Sequence, residues 1–267
     1  MSLSGAPHSG PARPGPTAAG SGTLEALLRQ RRTWETKPAL RALYGRWYER
    51  IVAALAERRP VVEIGAGSGN FKGYFPEAVA TDRWPVGPWI DRVVDATELP
   101  FAPGEVGNFV LVDCLHHLHR PVDFLADAAR ALQPGGRIVL LEPAATPWAR
   151  LVWRLFHHEP VDLEAELLAP TGPGQHEAAA DFANMGTAEV LFRRRPAATM
   201  RRLPGLRLRR LELSDFLVYP ATGGMSHPSL IPARLVRPLH RLEGWLTRPT
   251  AAWLTGLRML VVLEREA

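Results

Sequence analysis

Cysteine is nearly absent: Cys114 is the one thiol in 267 residues. That excludes an internal disulfide framework and a multi-cysteine zinc site. Lysine is almost as scarce. Lys37 and Lys72 are the only two, so the net charge of +5 rests on arginine. No apolar run approaches the ~20 residues that a membrane span needs. Residues 1–22, rich in Gly, Pro, Ser and Ala, lack the apolar stretch of a signal peptide and read as a disordered tail. These absences make the cytoplasm the expected location. Internal repeats and coiled-coil heptads are missing too.

What is there suits one sizeable domain. The chain is 46% hydrophobic, enough for a large core. Arginine clusters at 193–195, 201–202 and 207–210 invite a nucleic-acid reading. No aromatic residues alternate with them to make a stacking surface, so they read as solvated faces.

After the tail, Thr23 is placed to cap a helix from Leu24 to about Trp34. Pro38 opens a second, whose apolar face runs through Leu40, Leu43, Tyr44, Trp47, Ile51 and Leu55. Strand and helix signals then alternate. Strands are expected at 61–64, 78–81, 92–94, 109–113 and 137–142, with a helix from Pro121 to Leu132. Such alternation implies a mainly parallel, doubly wound sheet. Beyond Pro143 the pattern loosens. A helix is expected near Trp148 to Phe156, another over Thr187 to Met200, and strands at 206–213 and 257–263.

The most informative stretch is VVEIGAGSGN, residues 61–70. A short buried strand runs into glycines at alternate positions, which permit positive φ and close approach of backbone to a ligand. Acids tip the first three strands: Glu63, Asp82 and Asp95. In an open parallel sheet those strand ends border the ligand crevice. The three carboxylates suit an ammonium group, a ribose and an adenine amino group, which together describe S-adenosylmethionine. A pyrophosphate cofactor prefers G-x-G-x-x-G and a helix start free of negative charge. Here the third glycine comes one residue early and Glu63 stands beside it.

The chain resembles the class I S-adenosylmethionine-dependent methyltransferases, in particular the small-molecule group that includes the ubiquinone-biosynthesis enzymes. The resemblance rests on VVEIGAGSG (61–69), ATD (80–82), VVDATELPF (93–101), FVLVDCLHHL (109–118) and LQPGGRIVLLEP (132–143). It implies a Rossmann-like α/β fold with a seven-stranded sheet, the last strand antiparallel. It implies that Glu63, Gly65, Ala66 and Gly67 hold the methionine end of the cofactor. Asp82 would take the ribose, Asp95 and Ala96 the adenine, and Asp113 with Leu115 the floor of the site. One departure is the short, Pro-rich link from Asp82 to Asp95, which leaves no room for a full helix. Trp84 or Trp89 is expected to cover the adenine edge instead.

For an acceptor hydroxyl, a general base helps. The candidates are His116 and His117, one facing the site and one packed away, with His119 nearby and His158 in the FHHEPVD segment, 156–162. A structural role for the His pair is an equal expectation. That segment could form a metal site, but a base or polar loop is the preferred reading and no metal is assigned. Residues 214–256 read as an inserted lid with a hinge at Gly223-Gly224. Its stripe of Ile231, Leu235, Leu239, Leu242 and Leu246, flanked by arginines, is expected to pack on the sheet. A membrane-facing version would imply a hydrophobic acceptor.

The resulting organisation is a tail (1–22) and a single methyltransferase domain (23–267). Within it lie N-terminal helices (23–57), a cofactor core (58–143), an acceptor-side segment (144–205) and final strands with the lid (206–267). The expected reaction is methyl transfer to a small molecule, with oxygen the favoured target. An RNA methyltransferase lacks support, because DCLHHL stands where an Asn/Asp-Pro-Pro-aromatic motif would be. A nicotinamide-dependent oxidoreductase is disfavoured by the glycine spacing. A non-catalytic cofactor-binding protein stays open, as does the oligomeric state.

Overall fold

A computed structural model describes residues 18–169, 182–247 and 249–266. Most of the expected tail therefore lies outside the described residues, as does part of the segment after Pro143. Helix α1 (Ala18–Thr36) begins inside the expected tail, so Thr23 sits within the helix instead of capping it. Lys37 separates it from α2 (Pro38–Ala54), which starts on proline and buries Leu40, Leu43, Trp47 and Ile51. The proline supplies a fixed φ where no N–H partner is needed.

Seven strands form one sheet: β1 (Val61–Ile64), β2 (Val79–Asp82), β3 (Arg92–Val93), β4 (Val106–Val112), β5 (Leu132–Pro143), β6 (Leu206–Ser214) and β7 (Arg258–Arg265). Their order is β3-β2-β1-β4-β5-β7-β6. β1 pairs parallel with β2 and β4, while β7 runs antiparallel to both β5 and β6. This is the Rossmann-like α/β sheet with a reversed last strand that the motifs imply. All four β1 residues are buried because both faces of a parallel sheet are covered.

Successive side chains point to opposite faces and so feed two cores. On one side Val62, Ile64, Phe109, Leu111 and Ile138 pack with Phe124 and Leu125 of α4 (Pro121–Ala131). On the other, Val61, Val110, Val139 and Leu260 pack with α2 and with Val236 of α8 (Ala233–Leu246). The remaining helices are short: α3 (Asn70–Tyr74), α5 (Pro147–Phe156), α6 (Pro196–Arg202), α7 (Val218–Ala221) and α9 (Pro249–Thr255).

Two expectations change and one holds. The helix expected over 187–200 is interrupted: a π-helical turn over Glu189–Arg194 ends at Arg195, and α6 starts afresh on Pro196. Proline has no N–H to continue the first helix. The link 83–91 does lack a helix, as its prolines require. Finally, the lid stripe does not pack on the sheet as a unit. Val236 and Glu243 are the buried positions of α8, Ile231 and Leu239 are partly buried, and Leu235, Leu242 and Leu246 face outward.

Glu243 explains how α8 is held. Its carboxylate accepts from the backbone N–H groups of Phe216, Leu217 and Val218 at 2.8, 2.6 and 2.8 Å, tying the helix to the start of α7. Beside it, Asp215 accepts from the indole N–H of Trp47 and lies 3.1 Å from His240 Nε2. Glu243→Ala would leave three N–H groups unsatisfied. It is expected to cost on the order of 2 to 4 kcal/mol in urea unfolding. An unchanged midpoint would refute this role.

Candidate active site

The glycine turn follows β1 directly. Gly65, Gly67 and Gly69 have φ of +70°, +48° and +71°. A Cβ at Gly65 would meet Cys114 Sγ at 2.4 Å. The turn is fixed by Asp82 at the tip of β2, whose carboxylate accepts from Gly67 N–H at 2.8 Å and from Trp84 N–H at 2.9 Å. α1 lies over the turn: Leu27 would stand 3.3 Å from a Cβ at Gly67, and Arg31 donates to the carbonyl of Ser68 at 2.8 Å.

A cavity of about 1750 Å³ opens at these strand ends. Pockets for single drug-sized ligands run to roughly 300–1,000 Å³, so this one has room for a cofactor and an acceptor together. Glu63, Gly65, Ala66, Gly67, Asp82, Asp95, Ala96 and Asp113 all line it, together with His116, His117 and His158. Leu115 does not. It is fully buried in the core, and only its backbone N–H serves the site, by donating to Glu142 at 2.8 Å. Trp84 lines the cavity at the Asp95 end. Trp89 instead packs outside the glycine turn, donating from Nε1 to the carbonyl of Gly67 at 2.9 Å.

The residues present fit the amino-acid end of S-adenosylmethionine. Glu63 Oε2 and Asn70 Oδ1 are buried without a hydrogen-bond partner, and both residues line the cavity. Burial, and after it the charge of Asp82, push the Glu63 carboxyl up to about 8. An ammonium group would satisfy these acceptors and favour the carboxylate that burial disfavours. Burial also raises Asp82, against the pull of the Trp84 and Gly67 N–H groups. Asp82→Ala is expected to weaken cofactor binding by about 1 to 3 kcal/mol in calorimetry. Unchanged affinity would remove Asp82 from that task.

The opposite half of the cavity holds a chain of acids and imidazoles. Glu142, at the end of β5, is fully buried and accepts from the N–H groups of Cys114 and Leu115 at 3.0 and 2.8 Å. Its other oxygen lies 2.7 Å from His116 Nδ1. His116 Nε2 is 3.5 Å from Glu159, whose second oxygen is 3.9 Å from His117 Nε2. Burial disfavours a charged His116, but Glu142 and Glu159 outweigh it and raise the imidazole to about 10. Both its ring nitrogens face carboxylates, Glu142 at 2.7 Å and Glu159 at 3.5 Å, an arrangement that favours the protonated ring. Burial and the neighbouring His116 charge lower His117, leaving it neutral there. Both residues line the cavity, but they divide as expected: His116 is buried against Glu142, while His117 is exposed. His158 is exposed at the mouth, stacked on His157 with centroids 5.1 Å apart. His119 also lines the cavity, edge-on to Phe182.

His116, His117 and Glu159 offer ligand atoms within 4.8 Å of one another. Four residues that sequence reasoning did not assign complete the walls. Tyr44, Tyr48 and Tyr219 line the cavity, and Arg258 lies over the rings of Trp47 and Tyr219 while pairing with Asp113 at 2.5 Å. Glu142 was open to the same strand-tip argument that selects Glu63, Asp82 and Asp95.

Sheet order, glycine turn and acid-tipped strands together define a methyltransferase of the doubly wound class. The chain belongs to the methyltransferase domain family, whose pattern matches residues 37–177, more than half of its length. It is a class I enzyme dependent on S-adenosylmethionine. Solved structures share the fold at low identity. An S-adenosylmethionine-dependent methyltransferase from Thermotoga maritima is 13% identical, covering 92% of this chain and 99% of that one, with a TM-score of 0.55. Another from Archaeoglobus fulgidus is 14% identical, covering 87% and 97%, with a TM-score of 0.50. No curated protein matches the chain by sequence.

Proposed function

We propose that the chain methylates a hydroxyl of a small molecule, with His117 as the general base. The observation that carries this reading is the Glu142–His116–Glu159–His117 chain, whose last three members share one cavity with the glycine turn while Glu142 stands buried behind His116. When bound, S-adenosylmethionine supplies an activated sulfonium methyl. Glu63 and Asn70 hold its ammonium group, Asp82 its ribose, and Asp95 with Ala96 the adenine. Enclosure by α1 and the 223–228 loop excludes water and aligns the acceptor.

His117 Nδ1 lies 3.4 Å from the carbonyl of Phe182, which favours the tautomer with the proton on Nδ1. Nε2 then has a free lone pair. Its 3.9 Å separation from Glu159 is too long for a hydrogen bond and leaves space for an acceptor O–H to enter. The hydroxyl proton moves to Nε2 as the oxygen takes the methyl group. Glu159, which burial pushes up but the neighbouring His116 and His117 pull down to about 2, steadies the imidazolium formed. His116 is a positioning residue for Glu159. Single-turnover assays against a panel of phenols, alcohols and amines test the reading. Transfer to amines alone, unaffected by His117→Ala, would refute it.

A further inference from the structure

The cavity mouth merges with an apolar face that the fold leaves bare. Phe156 of α5, Leu217 and Leu230 line the cavity and are also 59%, 52% and 82% exposed. From there the face continues over two further helices. Leu242, Trp245 and Leu246 of α8 are exposed, as are Trp253 and Leu254 of α9. α9 packs on α5, where Leu151 and Leu155 point outward, and α8 packs beside α7.

Charge on these helices has one sign. The exposed residues of α5 and α8 include Arg150, Arg154, Arg234 and Arg241, besides Arg237, which pairs with Glu49 of α2 at 2.8 Å. Their sequences and that of α9 contain one acid, Glu243, which is buried and occupied by three N–H groups. At about 100° per residue, Leu235, Leu242 and Leu246 fall on one flank of α8 and the arginines on the other. A helix that buries one side in its own protein, and shows leucine and tryptophan beside arginine, is built to lie in a lipid interface.

We propose that the α5–α8–α9 face docks on an anionic lipid surface and presents the cavity mouth to it. The occupant is chosen by charge. A second copy would bring the same arginines against themselves across a symmetric contact, whereas anionic headgroups complement them. With the apolar rim of the mouth, this deepens the proposed function by making the acceptor hydroxyl part of an amphiphile that enters from the bilayer. It rests on that reading only for the word acceptor; the docking stands alone.

The test is flotation of the full chain with vesicles of phosphatidylcholine and phosphatidylglycerol in equal parts, and with phosphatidylcholine alone. Binding is expected to the anionic vesicles and to fall with added salt. Trp245→Glu with Leu246→Glu should abolish it. Arg234→Ala with Arg241→Ala should weaken it by at least about tenfold. Calorimetry with S-adenosylhomocysteine should give the same affinity in all three proteins, since none of these residues lines the cavity. Failure to bind anionic vesicles, or binding indifferent to Trp245→Glu with Leu246→Glu, overturns the docking. So does a dimer in light scattering that these substitutions dissociate. Loss of S-adenosylhomocysteine binding by the unaltered chain would instead overturn the methyl-transfer reading and leave the docking result standing.

Discussion

Glu63→Gln should weaken S-adenosylhomocysteine binding by about 10- to 100-fold and flatten its dependence on pH. The affinity loss follows from removing one charged hydrogen bond, about 1.5 to 3 kcal/mol. The pH effect follows from burial. The Glu63 carboxyl is raised from 4.5 to about 8, so the free protein carries a proton there at neutral pH. Holding an ammonium requires the carboxylate, so binding must expel that proton. Affinity in the unaltered protein should rise by up to about tenfold per pH unit as pH approaches 8. The ligand's own amine begins to lose its proton near the same point, which ends the rise. Glutamine has no proton to expel. Calorimetry across a pH series, repeated in buffers of different ionisation heat, reads both effects. An equal slope in Glu63→Gln would show that another group is being titrated. A second consequence concerns stability without ligand. An acid raised by folding favours the folded state least above its folded value, so stability falls as pH climbs from 4.5 through about 8.

Turnover should respond to the other end of the cavity. His117→Ala and Glu159→Gln are each expected to slow single-turnover methylation by about 10²- to 10⁴-fold, the range of general-base assistance. Cofactor affinity should hardly change, because neither residue belongs to the glycine turn. The pH profile separates the two adjacent histidines. His117 lies below its ordinary 6.5, so the rate should rise through a low value and be flat at neutral pH. If His116 were the base, the rate would keep rising towards about 10. His158→Ala should have a far smaller effect, since that ring is exposed and stacked on His157. A fully active His117→Ala protein would leave alignment alone as the source of rate.

The cofactor half of the site was legible because it is local. Glu63 and the glycines share one strand-turn unit, and Asp82 and Asp95 mark strand ends that any parallel sheet brings together. The acceptor half depends on distance along the chain. Glu142 meets His116 across 26 residues, and Arg258 meets Asp113 across the reversed strand β7. No spacing rule encodes such meetings. Leu115 shows the opposite error: adjacent to a true wall residue in the motif, it turns inward because the short helical turn after β4 rotates it into the core. On α8, periodicity found an apolar stripe but could not say what it faced, since Val236 and Glu243, one step aside, take the packing. The break before Pro196 was readable by the rule applied at Pro38 and Pro121.

The indole of Trp89 has a bearing on how this sequence can drift. The ring fills the place of the missing helix between β2 and β3, and a Cβ at Gly87 or Gly69 would come within 2.5 or 2.3 Å of it. Gly87 has no positive φ to hold it, so its identity is set by that ring alone. Gly69 is bound twice, by the ring and by its backbone. Among relatives of this chain, loss of the tryptophan therefore releases position 87 to any small residue while 69 stays glycine. The pair 87 and 89 should change together, and Gly87→Ala should be tolerated only where residue 89 is already small.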